Sequence, residues 1–229
     1  MKLRRWEELP AFLQNEEVRP YYDSLVKKQG LLTLKRAFDV TVAWILLVLL
    51  ALPMAAVAIW IKLDSPGPVF YRQERVTQYG KRFKIHKFRT MVDHADQIGS
   101  AVTVGGDPRI TRVGAKLRHL RIDELPQLID VLQGTMSFVG TRPEAVKYVK
   151  KYKPEYRATL LLPAGITSET SIRYKDESRL LKEAEDVDLV YVRDVLPGKM
   201  EWNLKGIREM SAFGDLKIMF ETVFAVLKH

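Results

Sequence analysis

Two adjacent carboxylates, Asp123 and Glu124, stand in the most basic stretch of this 229-residue chain. Arg109, Arg112, Lys116, Arg118 and Arg121 precede them with no acid in between. Pro126 belongs in the first turn of a helix, which puts the dyad at or near a helix N-cap. Free N–H groups and the positive end of the helix dipole favour an ionised acid there, and any nearby phosphate. Adjacent carboxylates suit a hard divalent cation, above all magnesium, which binds through one or two carboxylates plus substrate phosphate. A carboxylate can also be a nucleophile and form an acyl phosphate. A plain helix cap satisfies the same spacing, so the residues alone leave both readings open.

The composition narrows the chemistry. Cysteine is absent, which excludes a disulfide scaffold, a thiol nucleophile and a Cys-based zinc site. Four histidines with no H-E-x-x-H pair argue against a His-rich metal centre. An apolar fraction of 47% and a charged fraction of 28% exclude wholesale disorder. The net charge of +9 points to a phosphate-rich partner: nucleic acid, an anionic membrane face or a nucleotide.

One segment decides how such a site would be placed. Val40 to Ile61 carries no charge, and as a helix it is about 33 Å long, the thickness of a hydrocarbon core. The charged lead before it is too long for a signal peptide. Both flanks are basic, with Lys27, Lys28, Lys35 and Arg36 before it and Lys62, Arg72 and Arg75 after it. The positive-inside bias is satisfied at both ends if both lie on the cytoplasmic side. Pro53, in the middle, leaves the Leu49 carbonyl without its helical donor and should kink the helix. A re-entrant helix fits these features, and a kinked spanning helix is the alternative.

Around this segment the pattern predicts an α+β chain, mainly helical. Residues 1–33 read as a polar N-terminal extension, 34–63 as the membrane helix broken at Pro53, and 64–229 as a catalytic domain. Val69 to Thr90 alternates like a hairpin with its turn at Tyr79-Gly80-Lys81. Residues 72–89 hold seven Lys/Arg against Glu74, a run suited to an anionic headgroup surface as well as to a solvated face. Residues 91–108 read as a short helix followed by a loop. Helices are expected within 112–121, from about Glu124 to Leu132 with a stop at Gly134, over 144–162, over 178–194 and over 215–228. In the last, Leu216, Met219, Phe220, Val223, Phe224 and Leu227 share a face that is either core or laid on lipid.

Taken in order, several short motifs resemble the bacterial sugar transferases of the monotopic phosphoglycosyl transferase family. They are Lys35-Arg36-Ala37-Phe38-Asp39, Ser65-Pro66-Gly67-Pro68-Val69-Phe70, Gln73-Glu74-Arg75 and Lys87-Phe88-Arg89-Thr90-Met91. Asp123-Glu124-Leu125-Pro126-Gln127-Leu128 and the run from Gly134 to Pro143 complete the set. The resemblance implies a monotopic protein with a re-entrant helix-break-helix element and a cytoplasmic catalytic domain on the inner membrane. It implies transfer of a sugar 1-phosphate from a UDP-sugar to polyprenyl (undecaprenyl) phosphate, releasing UMP, with magnesium and a covalent phosphoryl-Asp. Asp123 would be the nucleophile and Glu124 the magnesium ligand, with Asp123 beside it at the metal. Lys87, Arg118, Arg142 and Asp188 would fall on the family's substrate-phosphate positions. Membrane lipids, and no nucleic acid, are the partners this implies.

The chain departs from the family pattern at Leu52, at Thr141, over Gly165 to Ser171, and in the extension 1–33. A membrane-surface binding module for anionic lipid or nucleic acid, without catalysis, is the competing reading. Neither the sugar nor the glycan pathway is legible, and a homodimer through the extension or the C-terminal helix stays open.

Overall fold

A computed structural model describes residues 1–95, 107–174 and 186–227. Strand alternation makes the first positioning device. β1 (Phe70–Val76) pairs antiparallel with β2 (Arg82–Phe88), with Tyr71 opposite Lys87 and Arg75 opposite Phe83. Tyr79 and Gly80 adopt positive φ in the connecting turn, where the sequence places it. Period two splits the basic run between two faces. Arg72, Arg82 and Lys84 are exposed on the outer face, whereas Arg75 and Lys87 turn inward with Tyr71 and Ile85.

The apolar segment forms α2 (Gln29–Asp64), and the break expected at Pro53 is absent: one helix runs through it, because the proline removes only the single bond to the Leu49 carbonyl. It is the one described helix long and apolar enough to cross a membrane. The more buried positions, among them Leu32, Asp39, Ala43, Leu46, Leu50, Met54, Val57 and Ile61, recur at helical spacing along its whole length. The opposite face is bare: Trp44, Val48, Leu49 and Leu52 are exposed, Leu52 to 84%. Both ends of α2 are tied to the same body. Near its start, Lys35 pairs with Asp215 at 2.7 Å, and the Arg36 guanidinium donates to the carbonyls of Val131 and Leu132. Asp39 accepts from the Phe138 backbone N–H. At its end, Asp64 accepts from the Val113 N–H, and Arg89 donates to the carbonyls of Ser65 and Pro66. The motif residues on either side of the apolar run are therefore the anchors that dock it.

α3 (Arg112–His119) is capped by Thr111, whose hydroxyl accepts from the Gly114 N–H. α4 (Gln127–Gln133) begins only after Pro126, and it ends at Gly134, in the left-handed region. Arg36 satisfies its last carbonyls. β3 (Met136–Val139) pairs in parallel with β4 (Ala164–Thr167), Met136 opposite Ala164. Buried Ile85, Leu128, Val131, Phe138 and Ala43 bind hairpin, α4, β3 and α2 into one cluster.

Three further expectations change. Residues 144–162 are not one helix: α5 (Val146–Val149) stops, and a 3-10 stretch, Glu155–Leu161, follows. Pro154 lies between them, and proline disfavours the helical conformation of the residue before it. The helix expected over 178–194 begins outside the described residues. After α6 (Glu169–Arg173), α7 (Val187–Val190) passes through a π turn, Tyr191–Val195, into α8 (Leu196–Arg208), so the helical run extends well past 194. Residues 1–33, read as an appendage, instead supply Leu3, Leu9, Leu13, Val18, Tyr21, Tyr22, Leu25 and Leu32, with α1 (Arg19–Lys27), to the largest buried cluster. Its partners there include Tyr79, Leu161, Leu204 and Ile207. For residues 91–108, Met91 bridges Ile110, and 96–106 lie outside the described residues.

α9 (Ala212–Leu227) resolves the choice between core and bare face by doing both. Ile218 and Met219 join the cluster that includes Leu46, Leu47 and Leu50 of α2, while Phe213, Phe220, Val223 and Phe224 are exposed.

Gly114 is the tightest point of the scaffold. A Cβ there would lie 2.0 Å from the Thr90 carbonyl oxygen, and Arg118, one turn on, donates from Nε to the Thr90 hydroxyl at 2.9 Å. Gly114→Ala should therefore push α3 off the end of β2. We expect a lower melting temperature, from a loss of about 1–3 kcal/mol, read by thermal unfolding of the detergent-solubilised chain.

Candidate active site

The dyad is delivered by a strained turn. α3 ends at His119, and Arg121 takes φ 55°, the left-handed region that non-glycine residues seldom adopt. That reversal starts a 3-10 turn, Ile122–Glu124, which carries both acids. They therefore stand upstream of α4 rather than at its N-cap, which Pro126 occupies. Both acids are buried, Asp123 at 7% exposure.

The two carboxylates have opposite surroundings. Glu124 Oε1 accepts from Lys87 Nζ at 3.0 Å and from Arg142 Nη2 at 2.5 Å, and Arg121 Nη1 lies 3.6 Å away. Arg142 Nη1 also donates to Oε2 at 3.3 Å. Asp123 Oδ1 is buried with no hydrogen-bond partner. Burial pushes the Asp123 carboxyl up; Lys87 opposes this and the Glu124 charge adds to it. Burial would also raise Glu124, but the charges of Arg142 and Lys87 outweigh it and hold that carboxyl well below the usual range. Burial likewise lowers the Lys87 ammonium, against the pull of Glu124. One acid is thus fixed as an anion by its cations, and the other keeps an oxygen uncommitted.

All six residues anticipated from the motifs line one cavity of about 1220 Å³. Lys87 and Arg142 touch Glu124 directly. Arg118 reaches the same wall through Thr90. Asp188, on α7, accepts from Lys147 Nζ and the Tyr148 hydroxyl. Pro53 lies on α2, outside the lining. The cavity wall carries nine Lys/Arg against five Asp/Glu, so it favours anions. Leu46 and Leu50 of α2, with Leu125, Phe138 and Val226, make part of the wall apolar. A polyanion with a hydrocarbon tail is the kind of ligand such a mixed lining suits.

The motifs did not point to several residues that the fold brings here. Arg75 shares the inward face of the hairpin with Lys87, which strand alternation could have shown. Glu144, Tyr191 and Lys199 form a buried polar group at the same cavity. No local pattern joins positions so far apart in the chain. Gln127, in the first turn of α4, keeps both side-chain polar atoms buried without a partner, an unusual state that often marks a working region.

Fold and site together define a carboxylate dyad in a cationic cavity, walled on one side by a membrane-type helix. The profile of the family described as bacterial sugar transferase matches residues 31–229. A UDP-glucose:undecaprenyl-phosphate glucose-1-phosphate transferase of Escherichia coli (strain K12) is 38% identical over 212 residues, 90% of this chain and 43% of that protein. A UDP-N-acetylgalactosamine-undecaprenyl-phosphate N-acetylgalactosaminephosphotransferase of Aeromonas hydrophila is 35% identical over 197 residues, 85% of this chain and 44% of the relative. A UDP-glucose:undecaprenyl-phosphate glucose-1-phosphate transferase of Caulobacter vibrioides is 39% identical over 196 residues, 84% of this chain and 69% of that one. The chain thus spans less than half the length of the first two. It belongs to the bacterial sugar transferase family.

The unequal surroundings of the dyad have measurable consequences for stability. Asp123→Asn removes a buried charge whose neutral form the fold prefers, so the variant should melt higher, by ~2–4 °C for each kcal/mol gained. Glu124→Gln breaks a buried ion pair, so it should lose about 3 kcal/mol. A depressed carboxyl stabilises the fold above its unfolded pKa of about 4.3. The gap between the parent chain and Glu124→Gln should therefore be full at neutral pH. It should close on acidification as the pH falls from that value through the lower folded one. Thermal melts in metal-free buffer from neutral to acid pH check both signs.

Proposed function

We propose that this protein transfers a sugar 1-phosphate from a UDP-sugar to undecaprenyl phosphate and releases UMP, as the first membrane step of a glycan assembly pathway. The observation that carries the reading is the buried, unpartnered oxygen of Asp123 beside a carboxylate clamped by Lys87 and Arg142, in a cavity that α2 lines. The names of the relatives supply the donor and acceptor classes.

The chemistry follows from charge. An Asp123 oxygen attacks the phosphorus that carries the sugar, and the bond from that phosphorus to the bridging oxygen breaks, releasing UMP. An oxygen of the lipid phosphate then attacks the phosphoryl-Asp123, and the acyl–phosphate bond breaks, restoring the carboxylate. Two displacements replace one difficult encounter. Each brings anions together, so Lys87, Arg118 and Arg142 lower the barrier by facing the charge that builds on the phosphoryl oxygens. The low-lying Glu124 carboxyl keeps Lys87 and Arg142 oriented while remaining ionised itself.

Magnesium fits the dyad. Among the described residues no cluster of three or more His, Asp or Glu could cage a metal unaided. Asp123 and Glu124 offer adjacent carboxylates, Asp123 Oδ1 lacks a partner, and a diphosphate would complete the shell with water. When bound, the ion would neutralise the diphosphate and polarise its phosphorus.

We further read α2 as re-entrant, entering and leaving the inner membrane from the cytoplasmic face, with its bare apolar side in lipid and the cavity at headgroup depth. The docking of both its ends on one body supports this. A chain without cysteine is a ready background for the test. Single cysteines at Lys27 and Lys62 should both label from the cytoplasmic side of inverted vesicles, and labelling from opposite sides would overturn the topology.

For the reaction, purified chain with magnesium, undecaprenyl phosphate and a panel of UDP-sugars should release UMP. Asp123→Asn should lose at least 10³-fold, a magnitude typical of removing a nucleophile, and should also lose exchange of labelled UMP into UDP-sugar. Lipid-independent release of free sugar phosphate would instead indicate a hydrolase. Tight anion binding without turnover would favour a binding module.

A further inference from the structure

The cavity continues past the phosphate-facing cations to the buried polar group that the proposed chemistry does not use. Glu144 follows Arg142 by two residues, in a stretch without helix or turn between β3 and α5, and both side chains line the cavity. Arg75, on the same wall, feels the charges of both Glu144 and Arg142, so the carboxylate stands close to the phosphate-facing cations. It is 8% exposed. Tyr191 donates its hydroxyl proton to Glu144 Oε1 at 2.5 Å, and Lys199 Nζ donates to the same oxygen at 3.3 Å and to the Tyr191 hydroxyl at 2.8 Å. Oε2 carries no hydrogen bond among the described residues.

This arrangement is built rather than incidental. Tyr191 opens a π turn, Tyr191–Val195, the one-residue insertion that often re-aims a side chain at a functional place. A buried ion pair contributes little net stability by itself, and this one opens on a ligand cavity. Burial would raise the Glu144 carboxyl, but Lys199, with the Tyr191 bond and Arg75, holds it below the usual range. It is an ionised, oriented acceptor. Elsewhere on the cavity wall, Thr170 donates to Asn203 Oδ1 at 2.7 Å. Thr170 comes from the stretch Gly165–Ser171, which departs from the family pattern.

Resting on the reaction proposed above, we propose that Glu144 selects the donor's sugar: its Oε2 accepts hydrogen bonds from hydroxyl groups of the hexose whose 1-phosphate lies against Arg142. Arg142 and Glu144 line the same cavity, so a sugar whose 1-phosphate lies against Arg142 is held beside the carboxylate. Tyr191 and Lys199 are positioning residues that hold the carboxylate in that orientation. Losing a hydroxyl that a buried charged acceptor expects leaves that acceptor unpaired, which is how a polar site rejects an analogue.

The test is binding without turnover. In the full chain carrying Asp123→Asn, calorimetry gives affinities for UDP, UDP-glucose, UDP-N-acetylgalactosamine and the 3-, 4- and 6-deoxy forms of whichever donor binds more tightly. One UDP-sugar should bind about tenfold or more tighter than UDP, and removing one hydroxyl should abolish that gain. Adding Glu144→Gln should abolish the same gain, leave UDP affinity within about twofold, and make the parent and deoxy donors equivalent. A variant that weakens UDP and UDP-sugar by one common factor overturns the assignment. So does one in which the deoxy donor still loses its tenfold, or a chain that binds no UDP-sugar better than UDP. If Glu144→Gln alone does not melt cooperatively, Glu144→Gln/Lys199→Met removes the ammonium together with the carboxylate charge and takes its place. UMP release by the unsubstituted chain is read separately, so a failure of the reaction and a failure of sugar selection give different results.

Discussion

A single buried carboxylate organises this molecule. Glu124 is kept ionised away from water by Lys87, Arg142 and Arg121, and those cations arrive on three unrelated pieces of chain. Lys87 comes from the inner face of the hairpin, Arg121 from the strained end of α3, and Arg142 from the stretch after β3. Glu124 would not tolerate burial alone, because an unpaired buried charge is expensive. Together they make a charged knot with the carboxylate at its centre, and the elements that carry them are held in register by it. What the knot leaves over is the adjacent Asp123, with an oxygen that no group among the described residues answers.

The second constraint is the apolar helix. A 36-residue helix with one face packed and the other bare has nowhere to put the bare face in water. Its anchors, Lys35, Arg36, Asp39 and Asp64, tie it to α9, α4, β3 and α3. The same helix contributes Leu46 and Leu50 to the cavity wall. The apolar helix and the site are therefore parts of one packing arrangement.

Much of this was legible from local pattern. Alternation gave the hairpin, and the uncharged run gave α2. Pro126 and Gly134 marked helix ends, because breakers act over one turn. The resemblance in ordered motifs named the residues that line the cavity. Reading failed where contacts between distant segments decide. Residues 1–33 look polar and detached, yet they are core, since their apolar side chains find Tyr79, Leu161 and Leu204 only in three dimensions. The helix expected over 144–162 is broken by Pro154, and the helical run after Val187 outlasts its apolar pattern because Tyr191, Leu196 and Met200 pack on Tyr148.

The sequence by itself determined the chemistry on offer: paired acids in a basic field, no thiol, and one membrane-length apolar helix. Residue type and short-range spacing carry that information. Only the tertiary structure decided which acid is pinned and which is left open, because that depends on cations delivered from β2, the α3 turn and the chain after β3. It alone brought Glu144, Tyr191 and Lys199 together, since their meeting follows from a π turn and from the packing of α7 and α8, neither of which leaves a mark in local spacing.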